Sequence, residues 1–272
     1  MNARTVPDLL LDRIAATPDR EAYRFREGND WTPLTWSEVG DRVRNIANGL
    51  RAIGLVDEER CAILSGTRIE WVLVDLGVLC AGGATTTIYP ATTAEDCVYI
   101  LSDSASAYVF AENAAQVAKL VEKRSELGGV RNVIVIDGEG GHDGWVITLG
   151  ELEAKGRDHD ASQRGGFERI ARGIRPDALA TLIYTSGTTG KPKGVELTHD
   201  CWVYEAEAID ELGLLREDDL QFLWLPLAHS FGKVLEVAQL RIGFATAIDG
   251  VIEKLVDNLA VVRPTFVAAV PR

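Results

Sequence analysis

A segment rich in glycine, hydroxyl and lysine side chains lies between residues 184 and 195, where the sequence reads Tyr-Thr-Ser-Gly-Thr-Thr-Gly-Lys-Pro-Lys-Gly-Val. It follows an apolar stretch, Leu179 to Ile183, that is typical of a buried strand. Glycine permits close approach of the backbone to a ligand, hydroxyl and N–H groups donate to phosphate oxygens, and lysine matches the charge of an anion. The combination predicts a polyphosphate-binding loop, whereas glycine and hydroxyl clusters without lysine usually form surface turns.

Two other chemistries would use similar residues, and the spacing disfavours both. A Walker A loop places Ser or Thr after its lysine and opens a helix, but Lys191 is followed by Pro192, which has no N–H group and disfavours helical geometry before it. A hydrolase nucleophile at Ser186 would need a Gly-x-Ser-x-Gly elbow, and the sequence has none there. A P-loop NTPase and a serine hydrolase are therefore disfavoured.

His229 is a second candidate site residue. It follows a predicted strand, Leu220 to Leu225, and Pro226, so it is expected at the carboxyl end of a strand, where open α/β sheets collect ligands. Ser230 is adjacent. A lone histidine is more often structural, and the remaining histidines form no metal-binding pattern: His142, His159 and His199.

Composition limits the class of protein. The chain has 272 residues, 46% of them hydrophobic, which suffices for one large domain or two smaller lobes. The net charge of −13 argues against binding of nucleic acid or anionic membrane by the whole surface. The cysteines are far apart and form no CxxC pair, which favours reduced thiols and a cytoplasmic location. They are Cys61, Cys80, Cys97 and Cys201.

No targeting or membrane-spanning segment is predicted. Asp8, Asp12 and Arg13 interrupt the first apolar stretch, which excludes a secretory signal. The longest apolar window, Trp71 to Ala84, contains Asp75 and is too short to span a bilayer. Any membrane contact is therefore expected to be peripheral.

Apolar periodicity predicts alternating helices and strands, hence βαβ units and a mostly parallel sheet covered on both faces. The predicted helices are 7–16, 37–53, 69–80, 95–101, 114–127, 149–155, 200–212, 231–242 and 252–261, and the predicted strands are 61–64, 84–89, 107–110, 132–136, 180–184, 220–225, 244–248 and 265–270. We interpret residues 1–137 as a first α/β lobe, the glycine-rich residues 138–177 as a connector, and residues 178–272 as the start of a second α/β lobe carrying the phosphate loop.

The phosphate loop resembles that of the adenylate-forming superfamily, which includes acyl-CoA synthetases, firefly-type luciferases and the adenylation domains of peptide synthetases. The run from Leu225 to Gly232, Leu-Pro-Leu-Ala-His-Ser-Phe-Gly, resembles the superfamily's next core motif. The segments 233–243 and 266–272 are most similar to long-chain fatty acyl-CoA synthetases, and residues 5–10 and 36–39 fit their amino-terminal start. The resemblance covers all 272 residues.

This resemblance implies the fold and the reaction. The fold would be the amino-terminal part of the acyl-CoA synthetase fold, truncated before the large domain ends. The reaction would join a fatty acid to AMP from Mg-ATP, release pyrophosphate, and pass the acyl group to coenzyme A. Little covalent work is needed from protein groups, so alignment and charge neutralisation would dominate catalysis.

The same resemblance assigns roles to residues. The β- and γ-phosphates would be held by Thr185, Ser186, Gly187, Thr188, Thr189 and Gly190. Lys191 or Lys193 would offset their charge, and Thr185 would also lie near Mg²⁺. His229, with Ser230 nearby, would position the acyl carboxylate and gate the pocket. The family often has Arg at the position of Lys233, to which we assign no catalytic role.

The family's adenine-binding motif, ribose-binding Asp and mobile catalytic lysine do not occur in the sequence. The resemblance thus implies that the chain is part of a longer enzyme and is inactive alone. Alternatives are a fatty acyl-AMP ligase that loads a carrier protein, and a non-catalytic module that binds phosphate or nucleotide. A homodimer also remains a hypothesis, and no nucleic-acid partner is expected.

Overall fold

The structure is a computed structural model that describes residues 3–28, 30–163, 165–185 and 190–270. Its strands are β1 Glu21–Glu27, β2 Asp30–Thr35, β3 Arg60–Leu64, β4 Ala84–Ile88, β5 Ser106–Asn113, β6 Asn132–Asp137, β7 Val146–Thr148, β8 Leu179–Thr185, β9 Lys193–Thr198, β10 Leu220–Leu223 and β11 Ala245–Ile248. Its α-helices are α1 Val6–Ala16, α2 Trp36–Ala52, α3 Ile69–Cys80, α4 Ala94–Asp103, α5 Ala114–Glu122, α6 Leu149–Ser162, α7 Gly166–Gly173, α8 His199–Glu211, α9 Ser230–Ile242 and α10 Leu255–Val262.

The strands form two sheets. The larger has seven strands in the order β7-β6-β5-β3-β4-β8-β9, and the smaller has four in the order β10-β11-β1-β2. Neighbouring strands are parallel except in the pairs β1–β2 and β8–β9. The prediction of a mostly parallel α/β fold is therefore confirmed.

Local sequence explains where several helices begin. Thr35 and Glu38 form a reciprocal capping box at the start of α2, and Thr148 and Glu151 form another at the start of α6. The two helices then pack closely through glycine: a Cβ on Gly156 would lie 1.8 Å from the carbonyl oxygen of Asn45. Residues larger than glycine would push these helices apart.

The core lies around α3, whose residues are all buried except Glu70. One cluster of buried apolar side chains extends from α1, α2 and α3 to α8 and α9, and so connects the larger sheet with the smaller one. A second cluster lies among β3 to β6 and the helices α4 and α5. The central part of the large sheet is thus covered on both faces, as predicted.

Several predicted elements differ from the structure. The β1–β2 hairpin was not predicted, and neither was β9, which pairs antiparallel with β8. In the predicted connector, the helix predicted at 149–155 is present and extends to Ser162 as α6, and an unpredicted helix, α7, follows it. The strand predicted at 265–270 is reduced to a bridge between Gln221 and Phe266. The lobe boundaries at 137 and 177 stay a prediction, while each sheet takes strands from both sides of them.

Candidate active site

The arms of the predicted phosphate loop are two antiparallel strands. Thr185, the last residue of β8, pairs with Lys193, the first residue of β9, and Tyr184 pairs with Gly194. Gly190 adopts φ +102°, in the region that favours glycine. The predicted contacts at Ser186, Gly187, Thr188 and Thr189 lie outside the described residues. The strands therefore bring Thr185 and Lys193 side by side at the base of the loop.

Helix α4 supports this hairpin through two tyrosines. The Tyr99 hydroxyl donates to the carbonyl oxygen of Pro192 at 3.0 Å, and the ammonium of Lys191 lies 4.9 Å from the centre of the Tyr99 ring. The Tyr184 hydroxyl donates to Asp103 at 2.7 Å, and burial together with this carboxylate raises the pKa of Tyr184. Residue types near the phosphate loop do not reveal these contacts, because α4 is distant in sequence.

His229 ends the connection from β10 to α9 and caps that helix. Its Nδ1 accepts a hydrogen bond from the backbone N–H of Phe231 at 3.2 Å, so the neutral ring carries its proton on Nε2. Gly232 makes the turn possible, because a Cβ there would lie 2.4 Å from the carbonyl oxygen of Pro226. His229 and Ser230 are exposed. The Nε2–H donor is thus available to a ligand.

One cavity of about 560 Å³ connects the two predicted site regions. Its lining includes Thr185 and Pro192 from the phosphate hairpin and His229 and Ser230 from the start of α9. Further lining residues come from β4 and the segment into α4, including Thr87, Tyr89, Thr92 and Asp96. The cavity lining does not include Gly190, Lys191 or Lys193. Lys191 and Lys193 are the chain neighbours of Pro192, and Lys193 pairs with Thr185.

A second cavity of about 590 Å³ lies between α8 and α9 and shares Ser230 with the first. Its lining combines Leu197, Trp202, Tyr204 and Val234 with two exposed carboxylates, Asp200 and Glu205. Much of this wall is apolar, and Trp202 itself is buried, with its indole N–H donating to Thr181. The sequence placed Trp202 in the core but gave no signal for a cavity beside it.

Oxygen ligands suited to a magnesium ion are few in the described part of the site. Thr185 offers a hydroxyl, and the carboxylate of Asp96 lines the same cavity while accepting from the hydroxyl of Thr93 at 3.0 Å. Magnesium usually keeps several waters and uses one or two carboxylates plus substrate phosphates. Among the described residues no group of three or more His, Cys, Asp or Glu side chains is arranged to hold a metal ion.

Lys233 belongs to a buried charged cluster, one helical turn beyond His229. Its ammonium pairs with Asp75 of α3 and lies 3.2 Å from Glu236, and all three side chains are at most 1% exposed. Burial raises the pKa of Glu236 to about 8, against the opposing effect of Lys233. Tyr23 from β1 lies beside these carboxylates, and its pKa is raised by burial and by their charges. Lys233 thus ties α9 to α3 and has no place in the cavity wall.

Two further histidines lie in helices, and the cysteines carry free thiols. His199 is the first residue of α8 and is buried, and His159 lies in α6. Cys61, Cys80 and Cys97 are buried free thiols, and Cys201 is an exposed one. Within the described ranges, no helix combines the length and apolar character needed to cross a bilayer.

Comparison with known proteins identifies the chain's relatives. It is 32% identical to the long-chain-fatty-acid–CoA ligase FadD15 of Mycobacterium bovis over 98% of this chain and 44% of that protein. It is 30% identical to the long-chain-fatty-acid–CoA ligase ACSBG2 of Xenopus laevis over 98% of this chain and 37% of that protein. The chain therefore spans less than half the length of these relatives.

A solved structure shares the fold. The inhibitor-bound amino-terminal domain of FACL13 from Mycobacterium tuberculosis superposes with a TM-score of 0.79 at 23% identity, covering 99% of this chain and 63% of that one. The sequence model for the AMP-binding enzyme family matches residues 10–272, nearly the whole chain. Taken with the hairpin loop and the histidine-capped helix around one cavity, this match shows that the chain belongs to the family of AMP-binding enzymes.

Proposed function

We propose that this chain supplies the phosphate-binding and carboxylate-positioning side of an active site that converts a long-chain fatty acid and ATP to acyl-AMP, which is then converted to acyl-CoA. The single observation that carries this proposal is the shared cavity. It places Thr185, at the end of a strand in one sheet, in the same lining as His229 and Ser230, which follow a strand of the other sheet. The relatives named as long-chain-fatty-acid–CoA ligases support the choice of acid.

The first step joins a carboxylate to a phosphate. A carboxylate oxygen of the fatty acid attacks the α-phosphorus of ATP, and the bond from that phosphorus to the bridging oxygen breaks, releasing pyrophosphate. The thiol of coenzyme A then attacks the acyl carbon, AMP leaves, and the thiol proton passes to solvent. These steps need positioned donors and cations more than a protein nucleophile.

Each end of the cavity fits one reactant. The phosphate hairpin presents the hydroxyl of Thr185 and two exposed ammonium groups, from Lys191 and Lys193, which suit the β- and γ-phosphates. The Nε2–H of His229 is free to donate to the acyl carboxylate, because Nδ1 is engaged by Phe231. A magnesium ion held beside Thr185 would take most of its ligands from phosphate oxygens and water, and would neutralise charge on the leaving group.

The apolar cavity suits the hydrocarbon chain of the acid. It shares the lining residue Ser230, next to His229, with the first cavity and lies between α8 and α9 beside Trp202 and Val234. An acid whose carboxylate reaches His229 would then place its methylene chain against these apolar side chains. Burial of each methylene group contributes about 0.8 kcal/mol, so affinity should increase with chain length until the cavity is filled.

The test is exchange of labelled pyrophosphate into ATP, dependent on palmitate, measured on the 272-residue chain and on a longer reading frame that contains it. We expect exchange from the longer protein and none from the 272-residue chain, because the relatives are more than twice as long. His229→Ala in the longer protein should lower the exchange rate about tenfold or more at saturating ATP. His142→Ala, which changes an exposed loop histidine far from the cavity lining, is the matched control.

Two results would contradict the proposal. Exchange that is equal with and without a fatty acid would remove the acid from the reaction. Exchange by His229→Ala at the rate of His142→Ala would remove His229 from it. Calorimetry with pyrophosphate separates a third outcome, since binding without any exchange in the longer protein would favour a non-catalytic phosphate-binding module.

A further inference from the structure

Two threonines, one after β3 and one in β4 of the larger sheet, hold the connection that ends at His229. Residues 224–229 join β10 to α9 without regular secondary structure. The Thr67 hydroxyl donates to the carbonyl oxygen of Leu225 at 2.8 Å and accepts from the N–H of Leu227 at 3.2 Å. The Thr87 hydroxyl donates to the carbonyl oxygen of Ala228 at 3.0 Å. The side chains of Thr67 and Thr87 thus form hydrogen bonds with the backbone of a connection that follows β10 of the smaller sheet.

Thr87 also lies beside β8, the strand that leads into the phosphate loop. In the large sheet β4 pairs with β8, and Thr87 is the register partner of Ile183, two residues before Thr185. The peptide group between Ala228 and His229 contains the carbonyl that Thr87 binds. Thr87 therefore lies opposite Ile183 through its backbone in the strand pair and binds the residue directly before His229 through its side chain.

The hydrogen bond from Thr87 is expected to fix an orientation as well as a position. Ala228 is 3% exposed, so its carbonyl oxygen would lose its donor in a buried place if Thr87 lost its hydroxyl. Rotation of the 228–229 peptide toward another donor would relieve that cost, and such a rotation swings the imidazole that follows. Displacements of about 1 Å near a reacting group can cost on the order of a hundredfold in rate.

Thr85 shows that a buried threonine in this strand need not make such a contact. It lies two residues before Thr87 on the same face of β4 and is 0% exposed. Its hydroxyl has no hydrogen-bond partner among the residues that the structure describes. The two threonines share strand, face and burial, and they differ in the bond to the His229 connection.

We propose that Thr87, assisted by Thr67, is a positioning residue that sets the placement of His229 relative to the phosphate loop. This proposal rests on the proposed function for its catalytic consequence, but its structural content concerns the imidazole alone. Both threonines come from elements distant in sequence from the residues they hold, and neither was among the predicted site residues.

The test uses two readouts and a matched set of variants. Imidazole nitrogen and carbon resonances of His229, recorded on the 272-residue chain, report its tautomer and surroundings. Pyrophosphate exchange by the longer protein reports the rate. We expect Thr87→Val to move the His229 resonances and to lower kcat about tenfold to a hundredfold, with KM for ATP unchanged within about twofold. Thr87→Ser should restore both readouts, and Thr85→Val should leave both as in the parent protein.

Defined results would overturn the proposal. Equal His229 spectra for Thr87→Val and Thr85→Val would show that the hydroxyl does not position the imidazole. Failure of Thr87→Ser to restore the parent spectrum would show the same. If Thr87→Val does not fold, Thr67→Val tests the same connection from its other end and must move the same resonances. Absence of exchange in the parent protein would reject the proposed function, while the spectra would still decide the positioning.

Discussion

Two lysines on neighbouring parts of the fold illustrate opposite uses of a positive charge. Lys191 is exposed at the phosphate hairpin, lies over the ring of Tyr99, and makes no ion pair within the described part of the chain. Lys233 is 1% exposed and pairs with two carboxylates, Asp75 and Glu236. A buried charge must be paired to be tolerated, whereas an exposed cation facing a ring keeps its capacity for an anion. The difference shows that Lys233 serves the structure, and it leaves the ammonium of Lys191 accessible to an anion, as the proposed function requires.

The largest expected effect concerns stability at Lys233. Lys233→Met leaves the buried carboxylate of Asp75 without its cation and the Glu236 carboxyl without its ammonium partner, and removal of one partner from a buried ion pair costs about 3–5 kcal/mol. Lys191→Met should change the free energy of unfolding by about 0.5 kcal/mol or less, because surface substitutions rarely do more. Urea unfolding followed by circular dichroism measures both. Equal losses of unfolding free energy in the two variants would show that the buried and the exposed lysine contribute alike to stability.

The buried cluster around Lys233 also makes the stability of the protein depend on pH. The pKa of Glu236 is raised by burial to about 8 in the folded protein, above the ordinary value of 4.5. The folded state therefore binds more protons than the unfolded state between these values, so stability falls as pH rises through that interval. His199 acts oppositely below pH 6.5, because burial, followed by the charge of Lys233, lowers its pKa to about 4. The decline should therefore be visible between about pH 6.5 and 8.

For one proton the slope is at most about 1.4 kcal/mol per pH unit. Glu236→Gln should remove this decline, and Glu211→Gln, which changes an exposed glutamate of α8, should retain it. The measurement is urea unfolding at intervals between pH 6.5 and 7.5, because burial also raises the pKa values of Cys61, Cys80 and Cys97, which would add a decline of their own at higher pH. A decline that persists unchanged in Glu236→Gln would assign the titration to another group.

The third prediction concerns the exposed lysine. Lys191→Ala should weaken pyrophosphate binding about tenfold, because charge-assisted hydrogen bonds contribute about 1.5–3 kcal/mol and part of that is lost to solvent here. Lys155→Ala, at an exposed position of α6, is the matched control and should bind as the parent chain does. Titration calorimetry on the 272-residue chain measures the affinities. Equal affinities in the two variants would show that Lys191 does not face the phosphates.

A feature could be predicted from the sequence when its interacting residues are close along the chain, and could not when they are far apart. The phosphate loop and His229 are local patterns, since glycine, hydroxyl and lysine types or a residue after a strand can be recognised without a fold. The partners of these segments are not local: Thr87 opposes Ile183 across a strand pair, and Lys233 meets Asp75 across two helices. Strand order decides both contacts, and no residue pattern within either segment encodes it.

The hairpin of β1 and β2 could have been found from the sequence. Residues 21–27 alternate charged side chains with Ala22, Tyr23 and Phe25, which is typical of a half-buried strand, and Gly28-Asn29 is a turn dipeptide. By contrast, the strand predicted at 265–270 has the right composition but makes only a bridge to Gln221. Apolar composition alone does not establish pairing, because a strand also needs a neighbour over its length.

The smallest expected effect concerns Tyr99, whose ring contacts the ammonium of the exposed Lys191. Its ring faces the ammonium of Lys191, and its hydroxyl holds the carbonyl oxygen of Pro192, so two substitutions separate the two contacts. Tyr99→Phe keeps the ring and removes the hydrogen bond, and Tyr99→Leu removes both. An exposed cation–π contact contributes about 0.5–1 kcal/mol, which corresponds to a change of about twofold to fivefold in an equilibrium constant.

If the ring holds Lys191 ready for phosphate, Tyr99→Leu should weaken pyrophosphate binding by this factor relative to Tyr99→Phe. If the ring instead competes with phosphate for the ammonium, the same calorimetric comparison should show tighter binding in Tyr99→Leu. We expect weaker binding, because both variants lack the bond to Pro192 and only Tyr99→Phe keeps the ring that restricts the side chain of Lys191.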